Sequence, residues 1–197
     1  MSTKHRTLPA LEEDYQVLSD TVREFADEVV APVSAELDAQ HEFPYEIVAQ
    51  MGEMGLFGLP FPEEYGGQGG DYFALCLALE QIARVDQSVA ITLEAGVSLG
   101  AMPVYLFGTE EQKQRYVGAI ASGQAIGAFA LTEPQSGSDA TAMRCRAIRQ
   151  ADGSYVVNGK KSWITSGPVA RYIVLFAMSE PEKGSRGITA LVIDTDK

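Results

Sequence analysis

Apolar residues recur at helical spacing through the first part of the chain. Leu11, Tyr15, Leu18, Val22, Phe25, Ala26, Val29, Val30 and Val33 define one face of a helix over 12–37, which Pro32 is expected to kink or interrupt. Pro44 suits the first position of a second helix, over 45–54, which Gly55 stops. The prolines and glycines of 56–70 read as a loop. Asp71 can cap a third helix reaching Val85. Phe73, Leu75, Cys76, Leu77, Leu79 and Ile82 make it apolar on most sides, as in a buried helix. A similar segment covers 88–99, and Met102 to Phe107 continues it past Gly100 and Pro103. Thr109 opens the last helix, with Gln112 completing a capping box and Glu110 and Glu111 at the positive end of the dipole. Gly123 closes it.

Near residue 125 the period changes to 2. Ile126 to Leu131 is small and apolar, and 143–150 alternates Met143, Cys145 and Ala147 with Arg144, Arg146 and Gln150. Asp152-Gly153 and Asn158-Gly159 are tight-turn signals. Strands are expected over 160–166, 171–179 and 187–194. Helices first and antiparallel strands second predict an α+β protein of two packed units, 1–125 and 126–197, rather than an alternating parallel sheet.

Composition narrows the function. The 197 residues carry a formal charge of −12, which leaves no basic face to meet a nucleic acid. A hydrophobic share of 46% with 21% charged residues is that of a globular protein, not a disordered one. No run of about 18 apolar residues predicts a membrane span. Residues 1–20 have no apolar signal core and include Glu12, Glu13 and Asp14, unlike a transit peptide. Cys76 and Cys145 give no disulfide framework. With His5 and His41 they are too scattered for a zinc site, so no metal is expected. Cys76 reads as a small core residue, Cys145 as structural, and both histidines as solvated. A soluble, cytoplasmic protein is expected.

Two segments carry candidate chemistry. Leu131-Thr132-Glu133-Pro134-Gln135-Ser136-Gly137-Ser138-Asp139 follows an apolar strand and can offer N–H and hydroxyl groups to an anion, or serve only as a turn. No Gly-x-Gly-x-x-Gly or Walker loop is present. Asn158-Gly159-Lys160-Lys161-Ser162-Trp163-Ile164-Thr165 holds the chain's single tryptophan. On a strand, Trp163 and Thr165 would share a face, suiting a planar ring, or Trp163 would be core.

Taken together, these motifs resemble the acyl-CoA dehydrogenase family. So do Leu56-Phe57-Gly58-Leu59, Pro62-Glu63-Glu64-Tyr65-Gly66-Gly67, Ser98-Leu99-Gly100 and Phe107-Gly108-Thr109-Glu110-Glu111-Gln112-Lys113. The resemblance runs from Asp14 to the end. It implies a helical domain followed by a β-barrel-like domain, here incomplete. It also implies FAD and the α,β-desaturation of an acyl-CoA thioester, in which a carboxylate removes the α-proton while hydride passes to flavin N5. By the match, Phe129, Leu131 and Thr132 would lie against the flavin ring. Gly137 and Ser138 would meet its diphosphate, with Ser138 also facing CoA. Trp163, Ile164 and Thr165 would cover the ring and reach N5. Ile91, Thr92, Glu94 and Ala95 would line the far end of the acyl pocket. Glu94 needs a partner on so apolar a helix. Glu133 is not taken as the base, which the resemblance places in a C-terminal bundle beyond Lys197. The family pattern further implies an electron-transfer flavoprotein as acceptor and a tetramer or dimer when complete. Acyl-CoA oxidases and flavin oxygenases on the same scaffold, or a non-catalytic truncated subunit, are the alternatives.

Overall fold

The computed structural model describes residues 11–196, so His5 lies outside it. Helix α1 is built of Glu13–Phe25, a π turn at Ala26–Val30, and Ala31–Gln40. Pro32 does not interrupt it. The π turn ends at Val30, two residues before the proline, so the hydrogen-bond ladder is already shifted there and the helix continues. α2 is Tyr45–Glu53, and Gly55 follows it in the left-handed region at φ 72°. The loop contains 3₁₀ turns at Leu56–Gly58 and Glu63–Tyr65. α3 is Tyr72–Ala83, capped by Asp71, whose carboxylate accepts the Ala74 N–H at 2.9 Å.

α4 joins two predicted segments into one helix, Gln87–Phe107, with a π turn at Ala95–Ala101. Asp86 caps it by accepting the Ser88 and Val89 N–H groups. Its 21 residues are long and apolar enough to cross a membrane, yet 61% of its apolar window is buried inside the protein. It packs as a core helix. Thr109 opens α5 with the expected capping box; α5 runs through Glu110–Gln112, a π turn at Lys113–Val117, and Gly118–Ala121.

The strands are β1 Gly127–Ala130, β2 Arg146–Arg149, β3 Tyr155–Asn158, β4 Tyr172–Met178 and β5 Ile188–Asp194. The expected all-antiparallel set is corrected to a mixed sheet, and it is not closed. β4 is the hub. β5 runs antiparallel along all of it, β1 pairs parallel at 172–175, and β2 pairs parallel at Met178. A strand has two edges, so β1 and β2 follow each other along the edge opposite β5. β2 and β3 form the hairpin that Asp152-Gly153 predicts. Period 2 marks a strand but not the direction of its partner, which is why the parallel pairings were invisible in sequence.

One apolar cluster spans both parts: Val22, Met51, Ile82, Leu93 and Ile120 pack in it with Tyr172 and Val174 of β4. Helix and sheet approach closely where a Cβ on Gly100 would lie 2.8 Å from the Gly127 Cα. Cys76 is exposed, contrary to expectation, since α3 buries Ala74, Leu75, Leu77, Ala78 and Ile82 and turns Tyr72, Phe73 and Cys76 outward. Cys145 is buried as expected, and His41 is exposed at the end of α1.

Candidate cofactor site

β1 leaves the edge of β4 at Ala130, and β2 returns to the same edge after an excursion over 131–145. Glu133 ties the two ends of that excursion. Its side chain is 2% exposed and saturated with donors. Oε2 accepts the Arg144 N–H at 2.6 Å and Gln135 Nε2 at 2.5 Å. Oε1 accepts the Cys145 N–H at 2.9 Å and Lys161 Nζ at 2.9 Å. Burial alone would raise the Glu133 pKa. The Arg144 N–H, Lys161, the Cys145 N–H and Gln135 outweigh burial and hold it at about 2. A carboxylate so engaged is a structural anion with no basicity to spare for proton abstraction.

Lys161 brings the second segment to the first. Its ammonium also donates to the Leu131 carbonyl at 2.8 Å, and the Ser162 N–H donates to the Thr132 carbonyl at 2.9 Å. Gly159 makes this approach possible: a Cβ there would fall 2.6 Å from the Cys145 Cα. The strand predicted over 160–166 does not form. These bonds draw the segment off the sheet, and Trp163 and Ser166 adopt left-handed φ angles of 62° and 59°. The strand face that Trp163 and Thr165 were to share is therefore absent. Trp163 is 93% exposed, not core, while Ile164 and Thr165 are half-buried.

The remaining sequence candidates divide. Phe129 is half-buried against Phe176, ring centroids 4.9 Å apart. Leu131 and Thr132 are half-buried, and Gly137 and Ser138 are exposed on the excursion. The structure thus brings Leu131 and Thr132 to the Trp163 segment. On α4, Thr92 and Ala95 are buried in the helical core, and the Thr92 hydroxyl donates to the Ser88 carbonyl at 2.9 Å. Ile91 is 46% exposed. Glu94 is half-buried, and the partner expected for it is not found: it makes no ion pair or side-chain hydrogen bond with the described residues. Among the described residues no His, Cys, Asp and Glu cluster could hold a metal.

The donor set fits a planar ring with a polar edge. An indole stands exposed, the buried Ser166 Oγ has no partner among the described residues, and the Thr132 N–H meets no acceptor there. Exposed Gly137 and Ser138 suit an anionic extension of such a ligand. What sequence reasoning missed is the Glu133–Lys161 tie. Its members stand 28 residues apart and belong to no periodic pattern.

A helical layer packed against a mixed, unclosed sheet is shared with the acyl-thioester dehydrogenases. The butyryl-CoA dehydrogenase of Megasphaera elsdenii matches it with a TM-score of 0.92 at 37% identity, over 96% of this chain and 50% of that one. An acyl-CoA dehydrogenase from Bacillus anthracis, solved in complex with FAD, matches at 0.87 and 36%, over 94% and 32%. The chain belongs to the acyl-CoA dehydrogenase family: the model of the family's N-terminal domain matches residues 12–124 and that of its middle domain 128–197. A probable acyl-CoA dehydrogenase of Bacillus subtilis, YngJ, is 44% identical over 187 residues, 94% of this chain and 49% of that protein. The chain spans about half the length of the relatives it matches.

Proposed function

We propose that the chain supplies the FAD-binding and thioester-binding half of an acyl-CoA dehydrogenase. The observation that carries this reading is the tie between the Thr132 and Trp163 segments through Lys161 and Ser162. In it the chain divides into a helical domain over 1–125 and a β domain over 126–197. FAD, when bound, accepts the hydride that leaves the acyl β-carbon. Phe129, Leu131 and Thr132 support the ring, and the Thr132 N–H and hydroxyl face its polar edge. Trp163 stacks on the ring, and Ile164 and Thr165 close around it. Gly137 and Ser138 hold phosphate, with Ser138 also addressing CoA. On α4 the acyl end meets Ile91 and Glu94, the members of the predicted set that are not packed in the core.

The family resemblance assigns the α-proton to a carboxylate from the half of the family's length that this chain does not span, and the full engagement of Glu133 agrees with that assignment. The proposed acceptor is an electron-transfer flavoprotein, in a cytoplasmic homo-oligomer. The test is anaerobic addition of acyl-CoA thioesters to the FAD-loaded chain supplied with a C-terminal half from the family. Bleaching of the flavin with formation of the enoyl thioester supports the reading. FAD uptake with no bleaching by any acyl-CoA overturns it.

A further inference from the structure

The bonds around Lys161 fix a direction as well as a contact. Successive carbonyls at the start of the excursion are all taken: that of Leu131 by Lys161 Nζ, that of Thr132 by the Ser162 N–H, and that of Glu133 by the Ser136 N–H. Every peptide bond among the described residues is trans, so each C=O points opposite to the N–H of the same peptide. The second peptide shows the rule at work. Its carbonyl, on Thr132, goes to Ser162, and its N–H, on Glu133, turns the other way to the Ser136 carbonyl at 3.0 Å. By the same rule, Lys161 draws the Leu131 carbonyl to one side and sends the Thr132 N–H to the other, where no described residue accepts it.

The same ammonium lies two residues before Trp163, at the root of the segment that presents the exposed indole. At 8% side-chain exposure it needs a counter-charge, and Glu133 supplies it. A buried ion pair is a poor way to gain stability, since an apolar pair of similar volume often does as well or better. What apolar groups cannot do is orient a peptide.

We propose that Glu133 and Lys161 are a positioning pair: Lys161 aims the Thr132 N–H at the edge, and the Trp163 indole at the face, of one planar ligand, and Glu133 aims Lys161. The inference rests on the flavin reading given above. The test is FAD titration of the whole chain as wild type, K161M, K161R and the double variant E133Q/K161M. Far-UV circular dichroism follows the fold, and Trp163 anisotropy and the bound flavin's absorption spectrum follow the site. K161M leaves the buried Glu133 charge without a counter-ion, so the double variant, with neither charge, guards against simple unfolding.

The expected result is that E133Q/K161M keeps its helix content and binds FAD about tenfold more weakly, the scale of one oriented charge-assisted bond. Its flavin spectrum shifts, Trp163 anisotropy falls, and K161R recovers part of the affinity. Wild-type affinity and spectrum in a folded double variant overturn the proposal. Loss of the fold in the double variant also overturns it, by making the pair a scaffold element only. A wild-type chain that takes up no FAD even when a C-terminal half from the family is supplied overturns the flavin reading itself.

Discussion

The helical core and the Glu133 tie hold the molecule together by opposite means. In the core, Val22, Met51, Ile82, Leu93 and Ile120 are fully buried apolar side chains whose attraction has no direction. At the tie, one carboxylate gathers the Arg144 and Cys145 N–H groups, Gln135 and Lys161 from three segments. Non-directional packing tolerates substitution of similar volume. A directed polar cluster does not, because any missing partner leaves a buried group unsatisfied. The contrast teaches where precision sits in this fold: in the polar edge of the sheet, with the helices as its backing.

Single substitutions separate the two regions in stages. E133A strands the Lys161 ammonium and should cost about 3–5 kcal/mol in urea unfolding at neutral pH. L93A opens a cavity in the helical core and should cost about 2–5 kcal/mol. Its loss should be the same at neutral and acid pH, whereas the E133A loss should shrink in acid. That difference follows from the pKa. Glu133 titrates at about 2 in the folded chain against 4.5 for an ordinary glutamate. Its contribution is therefore fully present above pH 4.5 and is lost as the pH falls toward 2, roughly 3 kcal/mol by linkage. Denaturation curves of wild type and E133Q from neutral to acid pH should converge over that window. D86A removes the N-cap of α4 and should cost about 1 kcal/mol in thermal unfolding. D27N breaks the exposed pair with Arg84, whose side chains are 50% and 40% exposed, and should change stability by less than about 0.5 kcal/mol.

The same contrast decides what could be read in the sequence. Helical periodicity located the helices because a continuous apolar face is a local pattern. The caps at Asp71 and Thr109 were legible for the same reason. Pro32 does not stop its helix, because the π turn before it shifts the hydrogen-bond ladder, and the continuation of 88–99 through 102–107 past Gly100 and Pro103 holds. Alternation at Met143, Cys145 and Ala147 predicted their burial correctly. The partner direction of β1 and β2 was not written locally, and neither was the tie. Lys161 follows another lysine and looks solvated in sequence; only the fold brings it to Glu133. The composition of the segment after it favours a strand, since Trp163, Ile164 and Thr165 are good strand residues. Tertiary bonds from Lys161 and Ser162 override that propensity.

Family membership does not settle whether Trp163 meets a flavin; its fluorescence does. It is the single tryptophan of the chain, and 93% exposed. Titration with FAD should quench its emission saturably, and Trp163→Phe should weaken FAD uptake while leaving the fold unchanged. Emission that stays unquenched while FAD binds, or FAD affinity unaltered in Trp163→Phe, would contradict the account.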